Sequence, residues 1–213
     1  MKRRKFIISG AAGSLAAAGS ALGAEKAVSP KHPTPGEIEG PFYPVIAQKD
    51  KDFDLTRIEG KEGVAKGRHI IISGAVYDTE GNPVEEATVD LWQANAAGRY
   101  RHPHDPNTAP LDENFQGWAI VPSGKTGEFR FKTVFPGAYP ASDGWTRPPH
   151  IHFKVSKRGY VELITQMYFP GQELNGKDLL LQRKSAEERK LMIAEKVADN
   201  PESYQFKIVI QRA

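Results

Sequence analysis

The stretch YPASDGWTRPPHIH, residues 139 to 152, decides how the rest of the chain is read. It brings a tyrosine, an arginine, a stiff Pro148-Pro149 step and two histidines one residue apart into one short segment. Side chains alternate faces along a strand. A strand opening at His150 therefore sends His150 and His152 to one face and Ile151 and Phe153 to the other, into a core. The two imidazoles form a two-pronged metal grip. Imidazole suits zinc, copper, iron and nickel alike, and strands also carry solvent-facing histidines, so the pair alone leaves the metal open.

Outward from this segment the texture is that of short strands. HIHFKVS continues it, VELITQMYF at 161–169 reads as another strand, and YQFKIVIQ at 204–211 as a last one. Upstream, HIIISGAVYD and VEEATVDLWQA flank the turn TEGNP, with Val89 and Leu91 on one face and Thr88, Asp90 and Trp92 on the other. GWAIV and EFRFKTV flank the turn SGKTG, and Phe129 and Phe131 alternate with Arg130 and Lys132. Ser185 with Glu188 makes a capping box for one short C-terminal helix, expected to run to about Ala198 before Asp199-Asn200-Pro201 stops it. The pattern predicts an all-β fold, an antiparallel β-sandwich of about seven strands with long loops.

A length of 213 residues with 39% hydrophobic content suits one domain with appendages. Residues 1–24 combine a basic start, an apolar run diluted by Gly and Ser, and a small-residue end, which is the anatomy of an export signal. The run Arg3-Arg4-Lys5-Phe6-Ile7 resembles a twin-arginine signal, with Lys2 where that pattern has Ser or Thr. The expectation is an exported protein, periplasmic or extracellular, with no stable membrane span once the signal is cut. Lys2, Arg3, Arg4 and Lys5 exceed the formal net charge of +3, so the remainder stands at −1 and gives no reason to expect nucleic acid. Without cysteine, neither a disulfide nor a thiolate metal site can form. Residues 25–67, rich in Pro, Gly and charge, read as an extended arm carrying TPGEIEGPFYP, and 68–213 as the sandwich domain.

Residues 94 to 116 form a long polar loop without periodicity, a length that marks a functional or disordered segment. It contains Tyr100 in GRYRH, while Tyr139 stands in PGAYP. Taken singly, each also suits a packing or turn role. A phenol with an ordinary pKa near 10 ligates only where a strongly Lewis-acidic cation drives off its proton, and two phenolates with two imidazoles favour Fe(III) over Fe(II).

Three motifs in order, LWQANAAGRYRH, GAYP followed by WTRPPHIHFKV, and LITQMYFPG, are similar to those of the intradiol ring-cleavage dioxygenases. The similarity is greatest to the iron-binding subunit of the protocatechuate 3,4-dioxygenase group, and runs from about Thr34 to the C-terminus. The resemblance implies a non-haem Fe(III) held by Tyr100, Tyr139, His150 and His152, with water or hydroxide as a fifth group. It gives Arg147 and Gln166 active-site roles, and it implies a catechol-type substrate cleaved with O2 between its hydroxyl-bearing carbons to a cis,cis-muconate-type diacid. Tyr100, on the long loop, is expected to be the ligand displaced by substrate, and the Arg147 guanidinium to stabilise developing negative charge.

The chain departs from the family in several places. The segment from Tyr139 to Arg147 is shorter than in the protocatechuate enzymes, and the arm is too short and Pro-rich for the N-terminal helices of the catechol and hydroxyquinol members. The resemblance also implies a second kind of subunit or a homo-oligomer, and it places Phe42 and Tyr43 against the substrate. Two other readings stay open. In one, His102 and His104 join His150 and His152 in an all-histidine zinc, copper or ferrous site; in the other, the sandwich binds sugars or proteins without catalysis.

Overall fold

Apolar residues at alternate positions bury one face of each strand, and the chain meets that demand by stacking two sheets. The computed structural model describes residues 32–48 and 50–213, so the expected export signal at 1–24 lies outside the described residues. One sheet holds β4 (Glu128–Val134), β1 (His69–Asp78), β10 (Ser203–Ile210) and β9 (Glu195–Lys196), in that order. The other runs β3 (Trp118–Pro122), β2 (Thr88–Trp92), β7 (His150–Ser156) and β8 (Leu163–Tyr168). Between them lie Ile70, Ile72 and Val76 of β1, Val89 and Leu91 of β2, and Phe129 and Phe131 of β4. Ile151, Phe153 and Val155 of β7 and Phe206, Ile208 and Ile210 of β10 complete this core. Each such side chain contributes about 1.5–3 kcal/mol by leaving water. Gly74 is required where β1 meets β10 and β4, since a Cβ there would collide with the Phe206 carbonyl and the Phe129 ring.

The strand pairs match the sequence reading, with additions. Most pairs are antiparallel, but β1 and β10 run parallel, from Ile71 opposite Ser203 to Asp78 opposite Ile210. A small hairpin of β5 (Tyr139–Ser142) and β6 (Trp145–Arg147) turns at Asp143-Gly144, where Gly144 has φ 73°. The single α-helix among the described residues, α1 (Ala186–Met192), opens on the expected capping box: Ser185 Oγ accepts the Glu188 N–H at 3.1 Å and Glu188 accepts the Ser185 N–H at 2.7 Å. It stops six residues short of Ala198. Ile193 is extended, the Ala194 N–H donates to the Tyr168 carbonyl at 2.9 Å, and β9 pairs with β10. Sheet pairing and burial of Ala194 here override helix propensity.

Residues 32–48 and 50–67 lie along the sandwich and cover its open edges, which would otherwise present unpaired backbone groups. The Glu37 N–H donates to the Ile164 carbonyl on β8 at 2.8 Å, the Ile120 N–H of β3 to the Lys51 carbonyl at 2.8 Å, and the Lys132 N–H of β4 to the Phe53 carbonyl at 2.8 Å. At its start, Thr34 exchanges two hydrogen bonds with Val209 on β10. Trp92, Trp118, Phe42 and Tyr43 pack together as a second apolar cluster. The β2–β7–β8 face turned away from the main core is thereby buried as well. No helix among the described residues is long and apolar enough to cross a membrane.

Candidate active site

The site is built on that second face. His150 and His152 leave β7 opposite Ile151 and Phe153, as strand alternation demands, and both are buried. Their Nε2 atoms stand 3.2 Å apart. His150 Nδ1 lies 2.7 Å from the Pro148 carbonyl, so it carries the proton and leaves Nε2 as a lone pair. Trp92, the partner of His152 across β2 and β7, stacks on the His152 ring at 4.8 Å and 14°. Burial, and after it the Arg147 charge, holds both imidazoles well below their ordinary value, so they stay neutral.

Two loops carry the tyrosines to this pair. The Asn95 carbonyl accepts the N–H groups of both Gly98 and Gly137 at 3.0 Å, and Tyr100 is fixed by its own N–H to Asp105 at 2.7 Å. Gly98 (φ 81°) and Gly137 let the loops touch, because a Cβ on Gly98 would strike the Ala138 carbonyl and one on Gly137 the Gly98 nitrogen. The Tyr100 and Tyr139 rings meet edge to face at 5.5 Å. Tyr139 lies 5.6 Å from His150, and Tyr100 lies 6.2 Å from His152, between ring centres. Burial, with Tyr139 adding to it, pushes the Tyr100 phenol well above its ordinary value; its hydroxyl is buried and, though close to the Tyr139 hydroxyl, makes no hydrogen bond of proper geometry. Burial also raises the Tyr139 phenol, and the Arg147 charge pulls against it.

Arg147 pairs with Tyr139 in the β5–β6 hairpin and is itself buried. Its Nε donates to Asp178 at 2.6 Å, and Nη2 to the Gln166 amide oxygen at 2.6 Å and the Tyr168 hydroxyl at 3.0 Å. Register explains the grouping, since Gln166 lies opposite His152 and Tyr168 opposite His150 across β7 and β8. Burial alone would lower the Arg147 pKa, but Tyr168, Tyr139 and Asp178 outweigh it and keep the guanidinium charged. Gln166 also donates to the Ile38 carbonyl at 3.0 Å, tying the arm to the arginine. Beside these groups is a cavity of about 160 Å³ lined by Ile38, Phe42, Tyr139, Trp145, Arg147 and His152, among others.

The six residues to which the resemblance gives metal or active-site roles, Tyr100, Tyr139, Arg147, His150, His152 and Gln166, thus lie together. Phe42 lines the cavity and packs on Tyr100 at 4.9 Å, whereas Tyr43 turns away to donate to Asp90 at 2.8 Å and to meet Trp92. The all-histidine alternative does not assemble: His102 faces His104 and Phe42, and among the described residues no three His, Cys, Asp or Glu side chains gather to hold a metal. Sequence reasoning missed Asp178 and Tyr168. Period-two alternation from Gln166 would have flagged Tyr168; Asp178, ahead of Leu179-Leu180-Leu181, shows only the ordinary signal of a turn.

A family model described as Dioxygenase matches residues 38–212. The chain is 38% identical over 194 residues to the protocatechuate 3,4-dioxygenase beta chain of Burkholderia cepacia, covering 85% of this chain and 82% of that one. It is 31% identical over 165 residues to a catechol 1,2-dioxygenase of Acinetobacter baylyi, covering 71% of this chain and about half, 49%, of that relative. Among solved structures, the dioxygenase domain of a dioxygenase carbohydrate-binding protein fusion from Streptomyces sp. SirexAA-E aligns with a TM-score of 0.65 at 26% identity, covering 85% of this chain and 100% of that one. A sandwich whose outer face gathers two tyrosines and two histidines, matched along its length to these proteins, belongs to the intradiol ring-cleavage dioxygenase family.

Proposed function

We propose that this chain is a non-haem ferric intradiol dioxygenase, which opens a catechol-type ring between its two hydroxyl-bearing carbons with both atoms of O2 and yields a cis,cis-muconate-type diacid. The observation that carries the reading is the meeting of Tyr100, Tyr139, His150 and His152 beside one cavity, with the Tyr100 hydroxyl buried and unpaired. These residues fit an Fe(III): the two imidazole Nε2 atoms converge to 3.2 Å, and two buried phenols lose their protons only to a strong cation. Tyr100, Tyr139, His150 and His152 would hold the metal. The iron supplies Lewis acidity, which favours ionised phenol and catechol oxygens and readies the ring for O2.

The chain's own groups prepare the rest. Trp92 fixes the plane of His152 by stacking, and the Pro148 carbonyl fixes the tautomer of His150. Held as a phenolate, Tyr100 Oη, carried on the loop, would be placed to accept a proton from an arriving catechol. Arg147 keeps a fixed positive charge at the cavity wall for negative charge developing on the ring, and Asp178, Gln166 and Tyr168 prevent it from reorienting. Phe42 and Ile38 form the cavity wall on the arm side. The same proposal takes residues 25–67 and 68–213 as arm and catalytic domain. It also takes the basic, weakly apolar 1–24 as a twin-arginine-type export signal, testable by cell fractionation, and a homo-oligomer or second subunit as the assembly, testable by native mass measurement.

The primary test is a visible absorption spectrum of the purified protein beside a metal assay, with Tyr100→Phe and Tyr139→Phe as controls. A broad tyrosinate-to-iron band, weakened or shifted by either substitution and altered by catechol without oxygen, is expected. A colourless protein filled with zinc or copper would sink the proposal.

A further inference from the structure

Two rows of side chains cross the outer face of the sheet that carries the site. Register sets Trp118, Trp92, His152 and Gln166 side by side over β3, β2, β7 and β8, and Ile120, Asp90, Lys154 and Ile164 in the row beside them. Asp90 is buried there, at 5% exposure. Burial pushes its carboxyl above the ordinary range in spite of two hydrogen bonds. Among the described residues no lysine or arginine pairs with it. Lys154, its neighbour across β2 and β7, is taken by Glu39 at 3.4 Å and Glu162 at 3.9 Å, and acts on Asp90 only from a distance. A carboxylate buried at such a cost has to be explained by what it holds.

What it holds is the arm. One oxygen accepts the Tyr43 hydroxyl at 2.8 Å and the other the Trp118 indole N–H at 2.8 Å. Among the described residues from Gly40 to Gln48, the first of these is the one hydrogen bond to the sandwich. It sets the Tyr43 ring edge-on against Trp92 at 4.9 Å and beside Trp118 at 6.0 Å, and Trp92 in turn stacks on His152. The residues next to Tyr43 reach the site directly. Phe42 meets Tyr100 at 4.9 Å and Tyr139 at 6.2 Å, and the Gly40 backbone lies against His152, where an added Cβ would stand 3.5 Å from Cε1. A turn of the arm with a single polar anchor therefore touches three of the four proposed metal ligands.

Resting on the function proposed above, we infer that Asp90 is a positioning residue for the metal site: its carboxylate pins Tyr43 and Trp118, and through Trp92 and Phe42 it fixes the His152 ring and the two phenols. It acts through these rings and not by touching metal or substrate. The chemistry of the clasp says which substitutions it tolerates. An indole N–H only donates, whereas a phenol hydroxyl both donates and accepts. Asparagine at position 90 accepts from Trp118 and donates to Tyr43, so the clasp survives loss of the charge. Leucine leaves both rings without an anchor.

The test compares the full-length parent with Asp90→Leu, Asp90→Asn and Tyr43→Phe, and with Ile208→Ala, which weakens the main core without touching the clasp. Amide hydrogen exchange of the metal-free proteins is read over residues 40–48. After iron loading, the tyrosinate-to-iron band and the rate of iron loss to a chelator are read. Asp90→Leu and Tyr43→Phe are expected to exchange faster over the arm, to shift the band and to lose iron about tenfold faster. Asp90→Asn is expected to stay close to the parent in all three, and Ile208→Ala to lose stability while keeping the parent band and iron retention. A parent-like band and parent-like iron loss in Asp90→Leu and Tyr43→Phe overturn the inference, as does an Ile208→Ala protein that matches Asp90→Leu. Asp90→Asn behaving as Asp90→Leu overturns the assignment to hydrogen bonding. Failure of the parent itself to take iron overturns the proposed function and the link to the metal with it, while the exchange data still decide whether Asp90 holds the arm.

Discussion

The two faces of the β2–β7–β8 sheet are almost equally buried and are held by different physics. On the inner face Val89, Leu91, Ile151, Phe153 and Val155 are at 0% exposure and form an ordinary apolar core. On the outer face Trp92, His150, His152, Gln166 and Tyr168 are at 0–3%, yet they carry nitrogens and oxygens that require partners. There the required contacts come from the arm, from Asp178 and from neighbouring side chains, and three are left unmade, at Trp92 Nε1, Tyr100 Oη and His152 Nδ1. Burial on one face stabilises the fold; on the other it prepares a site and leaves part of the polar demand unmet.

Substitution separates the faces. Phe153→Ala on the inner face is expected to lower stability by about 3–5 kcal/mol, seen as a reduced urea midpoint. If it costs less than the outer-face changes below, the division fails. Asp178→Ala is expected to cost about 3 kcal/mol, because it strands the buried Arg147 charge, and to lower kcat while the parent visible band persists. Loss of the band instead would show that Asp178 acts through the metal ligands.

Tyr100→Phe sharpens the contrast, since it removes a buried hydroxyl that has no partner. The metal-free variant is expected to equal the parent or exceed it by about 1 kcal/mol, with the charge-transfer band lost or shifted on iron loading. The smallest effect concerns Asp78 on the other sheet. Burial acts to raise its pKa, but Arg212, Asn82 and the Glu80 N–H outweigh it, and the folded value falls below the ordinary one. With a depressed folded pKa, its stabilisation is present above the unfolded carboxylate value near 3.9 and is lost as pH falls through the folded value. Asp78→Asn should flatten stability against pH in that acid window and leave the visible band unchanged.

Strands and the first circle of the site were legible because both depend on local period. HIHFKVS, TVDLW and EFRFKTV declare their inner faces, and the same alternation delivers His150 with His152. What joins the site over distance was not legible. Arg147 and Asp178 lie 31 residues apart, and nothing near Asp178 encodes its partner. The end of α1 was misjudged for a similar reason, since Ile193 and Ala194 are drawn into contacts with Tyr168 that no local propensity contains. Phe42 and Tyr43 differ in role because Asp90 recruits only the second.

The clasp between Thr34 and Val209 joins residues 175 positions apart, and β1 likewise waits for β10 as its parallel neighbour. During synthesis, then, the start of the arm has no seat until β10 has left the ribosome. Closures of such long range are slow, and an unpaired β1 is adhesive in the meantime. The pocket is therefore among the last parts of the molecule to exist. A truncation that removes only β10 is expected to abolish the site as surely as one that removes a histidine.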